Sequence, residues 1–518
     1  MKKIILLLLL PLTTLMAIDF MMTPHGLIPP STIKQDSTAS APVSNNDSNS
    51  NSNEITNDIA HSEKNPYLEP VNLPKCDASN PEVQFIKTKE DWKTINSPEK
   101  RIFCVSPGDY TKLRNIKLTT SGTAERRRYI ILNNGNDLHP GKLDKSQLAN
   151  FALELKGASY WVIDRAASFD VNFTHSFIVG EKSTHNIFNR MFTQNLFHTM
   201  WIRNKAHYNT IQNSRFDGIT IQGAQADLAT INIAEWGDSV KNFVVLNTKI
   251  INNEFINVKA ARLNRFPSIH LPSGISQKAN FDGTIFDSNT VEFNNAIRTD
   301  CKGNLDPHGD CMAGEANGIG AKAGSNDPNN PVIYSNNHIW GYRPSDPTFE
   351  KLSNVGNGLS AYMGSKNIKI RNNIIFDGTR GIKISSTLDT KHGTENVEVT
   401  GNLIVNTGNY PESKNSSSLE MAQANGCIMK NNVIINPKGH YGKIYYNHNN
   451  NYFGENTIIN PDEDMLYKEN WETVKGLKTN KVFQTAVEAG YTKDYSFTTD
   501  KFTNNPRIIT LKNVLKAN

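Results

Sequence analysis

The sequence has little net charge for its length. Its 518 residues include 55 basic and 50 acidic side chains, a formal excess of only +5. It also lacks a stripe of Lys and Arg interleaved with aromatic residues, which is the footprint of nucleic-acid-binding domains. The sequence therefore predicts no nucleic-acid partner, although a polyanion bound in a local groove is compatible with this charge.

A membrane anchor needs about 20 consecutive apolar residues, and the N-terminus does not supply them. Lys2 and Lys3 precede the apolar stretch 4–10, Pro11 interrupts it, and a small-residue end follows at Ala17. This pattern predicts a cleaved Sec signal peptide over residues 1–17. We therefore expect a periplasmic or secreted protein without an integral membrane segment after signal cleavage.

Cysteine is scarce too, with five residues in the whole chain. None of them has the Cys-x-x-Cys spacing of redox or zinc sites. In an exported protein we expect disulfides between Cys76 and Cys104 and between Cys301 and Cys311. Cys427 is then left as a free thiol, which we interpret as a small buried hydrophobic residue.

Residues 18–72 lack the apolar content of a folded segment. Their centre is rich in Ser, Asn, Asp and Thr, including an uninterrupted polar tract over residues 45–53. Such a composition buries too little apolar surface to offset the entropy lost on ordering. We predict a disordered Ser/Asn-rich linker here, with an adhesive low-complexity segment as the alternative.

The rest of the chain exceeds the usual size of one compact core, yet it contains no second break in composition. Instead, a short unit recurs, in which Asn is followed by β-branched or aromatic residues and then by a turn. Its copies begin at Asn189, Asn213, Asn253, Asn289, Asn337, Asn373, Asn402, Asn432 and Asn456.

The tightest intervals between copies, 213 − 189 and 456 − 432, are both 24 residues. Three short strands with three turns take this much chain, and stacked coils of this kind pair their strands and cover their apolar faces. Asn tolerates the left-handed turn conformation and can form a hydrogen-bonded ladder with its equivalents. A β-sandwich would not repeat the unit at this interval, and leucine-rich repeats need a different Leu spacing.

The predicted fold is therefore all-β, a single-stranded right-handed parallel β-helix with capped ends. We assign residues 73–110 to an N-terminal cap and first coil, 111–460 to the β-helix, and 461–518 to a C-terminal cap or tail. A short amphipathic helix near residues 91–99 is expected to cover one end, and apolar residues at mixed helical spacing after 462 the other. We expect a monomer.

The most unusual stretch for chemistry is 315–325. It places Glu315, Asn317 and Lys322 on a Gly-rich strand. Period two directs Glu315 and Asn317 to one face, and the glycines admit a bend that brings Lys322 towards them.

This stretch resembles polysaccharide lyase family six, the β-helical family of chondroitinase B and alginate lyases. Glu315 matches the first calcium-binding carboxylate of that family, Asn317 replaces the second, and Lys322 matches its lysine base. Tyr362 in the following coil stands where the family has an arginine, and Pro107-Gly108-Asp109 resembles the element of its first coil. The resemblance implies an acidic polysaccharide as the partner and calcium as a cofactor.

Cleavage of a uronate polymer by β-elimination needs a base, a group that neutralises the carboxylate, and an acid for the leaving oxygen. The sequence predicts Lys322 as the base, Tyr362 as the acid, and Arg380 as the cation that completes the catalytic set. Arg343, Lys383 and Trp340 are candidates for substrate binding. Ordinary structural roles in packing or ion pairing are the alternative for each of these residues.

Other functions remain open on the same fold. A glycoside hydrolase would use paired carboxylates about 5–9.5 Å apart, for which the candidates are Asp300, Asp306, Asp310 and Glu315. A non-catalytic adhesin or carbohydrate-binding solenoid needs only exposed aromatic residues such as Trp201, Trp236, Trp340 and Tyr342. A lyase leaves an unsaturated sugar end, a hydrolase only reducing ends, an epimerase an unshortened chain of altered composition, and an adhesin no product.

Overall fold

The chain is described by a computed structural model over most of residues 65–490. The described residues are 65–113, 116–170, 176–196, 199–203, 205–219, 230–233, 243–260, 269–273, 280–296, 298–299, 311–312, 317–341, 357–362, 364–385, 393–408, 416–445, 450–461, 466–469 and 472–490. The predicted signal peptide and most of the predicted linker lie outside these residues. The same holds for Glu315, Arg343 and Cys301.

The strands are short and rich in β-branched and aromatic residues, and they assemble into three long parallel sheets. Sheet 1 contains Val83–Ile86, Ile102–Val105, Arg128–Leu132, Trp161–Asp164, Ile187–Asn189, Thr210–Gln212, Lys249–Ile251, Ile285–Asp287, Val332–Ser335, Lys366–Arg371, Thr394–Thr400, Ala424–Asn425, Ile428–Lys430 and Tyr452–Gly454.

Sheet 2 contains Gly108–Asp109, Ala149–Asn150, Ala167–Phe169, Phe192–Leu196, Arg215–Ile219, Glu254–Ala260, Thr290–Ala296, His338–Trp340, Ile374–Phe376, Leu403–Val405, Val433–Ile435, Thr457–Ile459 and Lys481–Phe483. Sheet 3 contains Ile116–Leu118, Leu153–Leu155, Phe177–Val179, Met200–Ile202, Ile231–Ile233, Ile269–Ser273, Asn317–Lys322, Asn357–Tyr362, Arg380–Ser385, Ser417–Ala422, His440–Tyr445 and Leu466–Glu469.

The chain visits the three sheets in turn, and each strand pairs in parallel with the strand one coil further on. In sheet 1, for example, Asp287 is in register with Ser335, and in sheet 2 Ile458 is in register with Ile434. This winding confirms the predicted parallel β-helix. A two-stranded antiparallel excursion, Arg298–Thr299 with Cys311–Met312, leaves the regular coil.

Asparagine stacks along the turn that joins sheets 1 and 2, as the repeat predicted. From Asn253 to Asn480 each side-chain amide donates to the side-chain oxygen of the next copy, at 2.9–3.1 Å. Each amide also reaches a backbone carbonyl of the preceding coil; Asn373, for example, donates to Tyr334 at 3.0 Å. The ladder therefore supplies hydrogen bonds to buried backbone carbonyls at this turn.

The sequence predicted that one asparagine both adopts the left-handed turn conformation and forms the ladder, but two adjacent residues share these roles. The ladder residues do not have positive φ. The residue before them does, as in Asn372 (φ 55°) and Asn431 (φ 55°). Gly401, with φ 65°, takes the same position before Asn402.

The first two copies of the repeat were aligned wrongly. Asn189 is in register with Gln212, and Asn213 stands at the turn position of Asn252, to which its side-chain oxygen is bonded at 2.8 Å. Ser214 therefore occupies the ladder position in this coil. The true interval here is 210 − 187, or 23 residues.

The N-terminal end of the core is covered by a single turn of 3-10 helix, Asp91–Thr94, and not by the longer helix that we predicted. Its Trp92 is buried and packs against Tyr110 and Phe151, with ring centroids 5.6 and 5.1 Å apart. The other described 3-10 turns are Thr111–Leu113, Pro140–Lys142, Lys145–Gln147 and Leu477–Thr479. None of the described helices has the length and hydrophobicity needed to cross a bilayer.

The C-terminal segment departs from its predicted helical spacing. Lys481–Phe483 is a strand of sheet 2, in register with Thr457–Ile459, and it adds one more rung to the solenoid. Val474 is buried in the core, whereas Val482 is exposed. Val482 is the central residue of this strand, whereas Val474 precedes it in a separate segment.

Residues 65–73 cross the outer face of sheet 1, although composition assigned all but the last of them to the linker. The Glu69 backbone and the Gln212 side chain exchange two hydrogen bonds of 2.9 and 3.0 Å. The Glu69 carboxylate pairs with Lys249 at 2.7 Å, and the Asn65 amide donates to Asp287 at 2.7 Å. Local composition did not reveal these contacts because their partners lie more than a hundred residues away.

The predicted disulfide between Cys76 and Cys104 is present, and Cys427 is a free, buried cysteine. Burial raises the pKa of the Cys427 thiol to about 11. This thiol is therefore unsuited to act as a nucleophile near neutral pH. The pairing of Cys301 with Cys311 cannot be compared, because Cys301 lies outside the described residues.

Candidate functional site

Sheet 3 presents a mostly polar column on its outer face. Along each strand apolar side chains enter the core, as Ile382 and Ile384 do, and the residue between them faces outwards. The register connects these outward positions from coil to coil, and we call them the central column. Its members are Lys117, Glu154, Ile178, Trp201, Asn232, His270, Gly320, Ser360, Lys383, Glu420, Lys443 and Tyr467.

Glu420 is the centre of an ion cluster in this column. Its side chain lies 3.2 Å from Nε of Arg380 and 3.7 Å from Nζ of Lys383, and the Tyr445 hydroxyl donates to it at 2.8 Å. Glu420 is only 1% exposed and Arg380 3%. Several charges are thus held in a place where water screens them little.

The cluster shifts the protonation of its members in opposite directions. Burial raises the pKa of the Glu420 carboxyl, but Arg380, Lys383, Tyr445 and Lys443 together outweigh burial, so this pKa lies below its usual value. Burial and the adjacent Glu420 raise the pKa of Tyr445. Burial, together with the repulsion of Arg380 and Lys383, lowers the pKa of Lys443 although Glu420 opposes this. Glu420 is therefore an anion and Tyr445 a neutral donor.

Lys443 lies between two tyrosine rings. Its Nζ is 5.0 Å from the ring centroid of Tyr445 and 5.2 Å from that of Tyr467. Tyr467 also approaches the imidazole of His440, with ring centroids 5.7 Å apart. Aromatic faces stabilise a cation at such distances, so this end of the column combines positive charge with flat apolar surface.

The three predicted catalytic residues all belong to strands of sheet 3. Lys322 and Tyr362 end adjacent strands, each directly after one of the paired residues Ala321 and Ala361. Tyr362 is in register with Ser385, at the end of the strand that Arg380 begins. Five positions along a strand amount to about 16 Å, so the register places Arg380 well away from the Lys322–Tyr362 level.

Lys383 is closer to that level, because it precedes Ser385 by two positions, or about 7 Å of strand. Asn317 begins its strand and is in register with Asn357, which is in register with Arg380. Asn357 also accepts a hydrogen bond of 3.4 Å from Arg380. Among the described residues, no three His, Cys, Asp or Glu side chains converge on a point that could hold a metal.

Trp340 lies on a different wall of the solenoid. It belongs to sheet 2, where it is in register with Glu292 and Phe376. It is buried, although we counted it among the exposed aromatic residues. The described geometry therefore does not bring Trp340 to Lys383.

Comparison with solved structures gives remote matches. A PL6 family alginate lyase, AlyGC, is 10% identical with a TM-score of 0.45, over 75% of this chain and 53% of that one, so this chain spans about half of its length. A mannuronic acid specific family 6 lyase from human gut microbiota is 12% identical, TM-score 0.38, over 78% and 87% of the two chains. DFA-IIIase from Arthrobacter chlorophenolicus A6 is 12% identical, TM-score 0.40, over 79% and 96%.

The chain is a parallel β-helix. No protein-family model matches it, and no curated protein matches it in sequence. The TM-scores of these solved structures lie below 0.5, so the activity of this chain is argued from its own residues.

Sequence reasoning missed Glu420, Lys443 and Tyr445. A signal for them is present, because Ile382-Lys383-Ile384 and Leu419-Glu420-Met421 place a charge between two apolar residues in successive coils. Aligning the strands of sheet 3 would have exposed this column. The asparagine repeat marks the turn between sheets 1 and 2. Because the coils differ in length, that repeat does not indicate which residues of sheet 3 are in register.

Proposed function

We propose that this protein binds an acidic, uronate-containing polysaccharide along the central column and cleaves it by β-elimination. The observation that carries the proposal is the concentration of cationic side chains on one sheet, with Arg380 and Lys383 in one coil and Lys443 two coils further on. Parallel strands repeat at about 4.8 Å. A polymer lying along the column therefore meets its binding groups at regular intervals.

The cationic groups suit this substrate class for a physical reason. β-Elimination removes the proton next to a carboxylate, breaks the bond to the leaving oxygen and leaves a carbon–carbon double bond. Negative charge develops on the carboxylate as the proton departs, and a cation fixed nearby stabilises that charge without reorganisation. Glu420 holds Arg380 and Lys383 in place, so they are positioned before the substrate arrives.

We assign the proton transfers to the predicted pair. Lys322 in its neutral form takes the proton, and Tyr362 donates one to the leaving oxygen. Lys383 is the cation nearest to their level and neutralises the substrate carboxylate, whereas the buried Arg380 shares Glu420 with it and fixes its position. The Tyr445 hydroxyl is bonded to Glu420, which makes it a positioning group for the cluster.

We also propose calcium as the cofactor, with Glu315 and Asn317 as its ligands. Carboxylate and amide oxygens are donors of the type that calcium prefers. A chelator should then lower turnover, and added calcium should restore it. Turnover that is unchanged in excess chelator would remove calcium from the proposal and leave the acid–base assignment standing.

The test is incubation of the purified protein with alginate, pectate and glycosaminoglycans, followed by ultraviolet absorbance of the unsaturated product. We expect Lys322→Ala to lower kcat about 100-fold or more, which is the usual contribution of general acid–base catalysis. Lys369→Ala is the matched control, since Lys369 is an exposed strand residue of sheet 1. It should turn over like the wild type.

Two results would contradict different parts of the proposal. Full activity of Lys322→Ala would show that Lys322 is not the base, but it would leave the acidic polysaccharide as the proposed substrate. Products with reducing ends only, or an unshortened chain of altered composition, would replace the lyase by a hydrolase or an epimerase. Binding without any product would leave a carbohydrate-binding solenoid. We further propose that the protein acts outside the cytoplasm, because residues 1–17 have the pattern of an export signal.

A further inference from the structure

The central column carries an aromatic residue together with a cation near both of its ends. At the N-terminal end this residue is Trp201, which is half-buried and has the guanidinium of Arg203 4.1 Å from its ring centroid. Arg203 is held from the other side by Glu154, at 3.8 Å. Met200 and Ile202 enter the core, so Trp201 faces outwards into the column.

Among the residues that the structure describes, two polar atoms near Trp201 are buried without a hydrogen bond. One is Nε of Arg203, and the other is the side-chain oxygen of Asn232, which is in register with Trp201. Asn232 is 2% exposed, and its neighbours Ile231 and Ile233 enter the core, so its side chain lies on the outer face. Buried polar groups are nearly always paired in native proteins. An unpaired donor and an unpaired acceptor at neighbouring positions of adjacent coils point to a polar ligand.

At the C-terminal end the aromatic residue is Tyr467, whose exposed fraction is 39%. Lys443 and the imidazole of His440 flank its ring, as described above. The stretch between the two ends is mostly buried where its side chains are described, as in Ser360 and Glu420. Trp201 and Tyr467 therefore stand at the two ends of a stretch whose described side chains are mostly buried.

We propose that Trp201 with Arg203, and Tyr467 with Lys443, are two end subsites that bind acidic sugar rings of one polymer chain. This inference rests on the proposed function and adds to it a dependence on chain length. Eight strand-to-strand steps separate Trp201 from Tyr467, which is about 38 Å at the usual spacing. Each ring stacks on a sugar face, and each cation pairs with the carboxylate of that sugar.

The test measures binding to sodium alginate, polygalacturonate and hyaluronan, and to sized oligosaccharides made from whichever polymer binds. Trp201→Ala and Tyr467→Ala should each weaken binding of the polymer about three- to tenfold, and the effects should multiply in the double variant. Oligosaccharides too short to reach both subsites should bind more weakly to at most one of the two alanine variants. Trp201→Phe and Tyr467→Phe keep a ring and should retain most of the affinity.

Tyr208→Ala is the matched control, because Tyr208 is 46% exposed and lies on a turn outside the column. It should bind the polymer like the wild type, and all variants should keep the thermal unfolding midpoint of the wild type. If the wild type binds a polymer and both alanine variants bind it equally well, the end subsites are refuted and the proposed function stands. If the wild type binds no acidic polymer, the proposed function is refuted as well.

Discussion

Glu420→Gln removes the carboxylate of the buried cluster and keeps nearly the same volume and a partner for the Tyr445 hydroxyl. At an effective dielectric constant of ~20, contacts of 3.2 and 3.7 Å with Arg380 and Lys383 have Coulomb energies of about 5 kcal/mol each. Desolvation offsets much of this gain. Removing one partner of a buried pair costs about 3–5 kcal/mol, and we expect the free energy of unfolding to fall by that amount.

The assay is urea denaturation of the wild type and the variant over a range of pH. The pKa of Glu420 is lowered in the folded state, so its contribution is fully present above the usual carboxyl value of 4.5 and is lost as the pH falls through the folded value. The difference between the two proteins should therefore be constant near neutrality and narrow in acid.

Glu90→Gln serves as the control, since Glu90 forms an ion pair with Lys93 in which both side chains are mostly exposed. Exposed pairs contribute little to stability, so its urea midpoint should match that of the wild type. An unfolding free energy of Glu420→Gln equal to that of the wild type at pH 7 would refute the account of the cluster.

Three further predictions concern the scaffold. Asn402→Ala should lower the free energy of unfolding by about 2–4 kcal/mol in urea denaturation, because it interrupts the ladder to Asn432 and leaves buried backbone groups unpaired; an unchanged midpoint would contradict this. Cys76→Ser opens a disulfide to Cys104 that spans 28 residues, and loop entropy predicts that the free energy of unfolding falls by about 3.5 kcal/mol. Urea denaturation of the variant and the wild type under non-reducing conditions tests this, and the reduced wild type should unfold like the variant. Cys427 should resist iodoacetamide in the native protein and react in urea, and rapid native labelling would show that its thiol is not buried.

The asparagine repeat predicted the fold because each copy has a local cause. Every coil must turn at the same place, and a side chain that bonds to its equivalents satisfies the backbone there. The repeat was less reliable at Asn189 and Asn213, where neighbouring positions also carry Asn or Gln. Only strand pairing decides which of two adjacent residues joins the ladder, and the structure assigns that position to Ser214.

The candidate site could be predicted only in part. Lys322, Tyr362, Arg380 and Lys383 were recognised from a resemblance and from local charge, and they all belong to sheet 3. Their relative levels could not be predicted, since insertions between coils change the register without any mark in the local sequence. Glu420 escaped notice for the same reason, because its partners are 40 and 37 residues away in the chain (420 − 380 and 420 − 383).

By itself, the sequence determined that this chain forms stacked coils, because alternation, turn residues and the asparagine ladder act within one coil or between neighbours. The tertiary structure alone decided which side chains share a column and which charges meet beneath the surface. Column membership depends on the summed lengths of all the intervening turns, and a buried charge is stable only where several partners from different coils surround it.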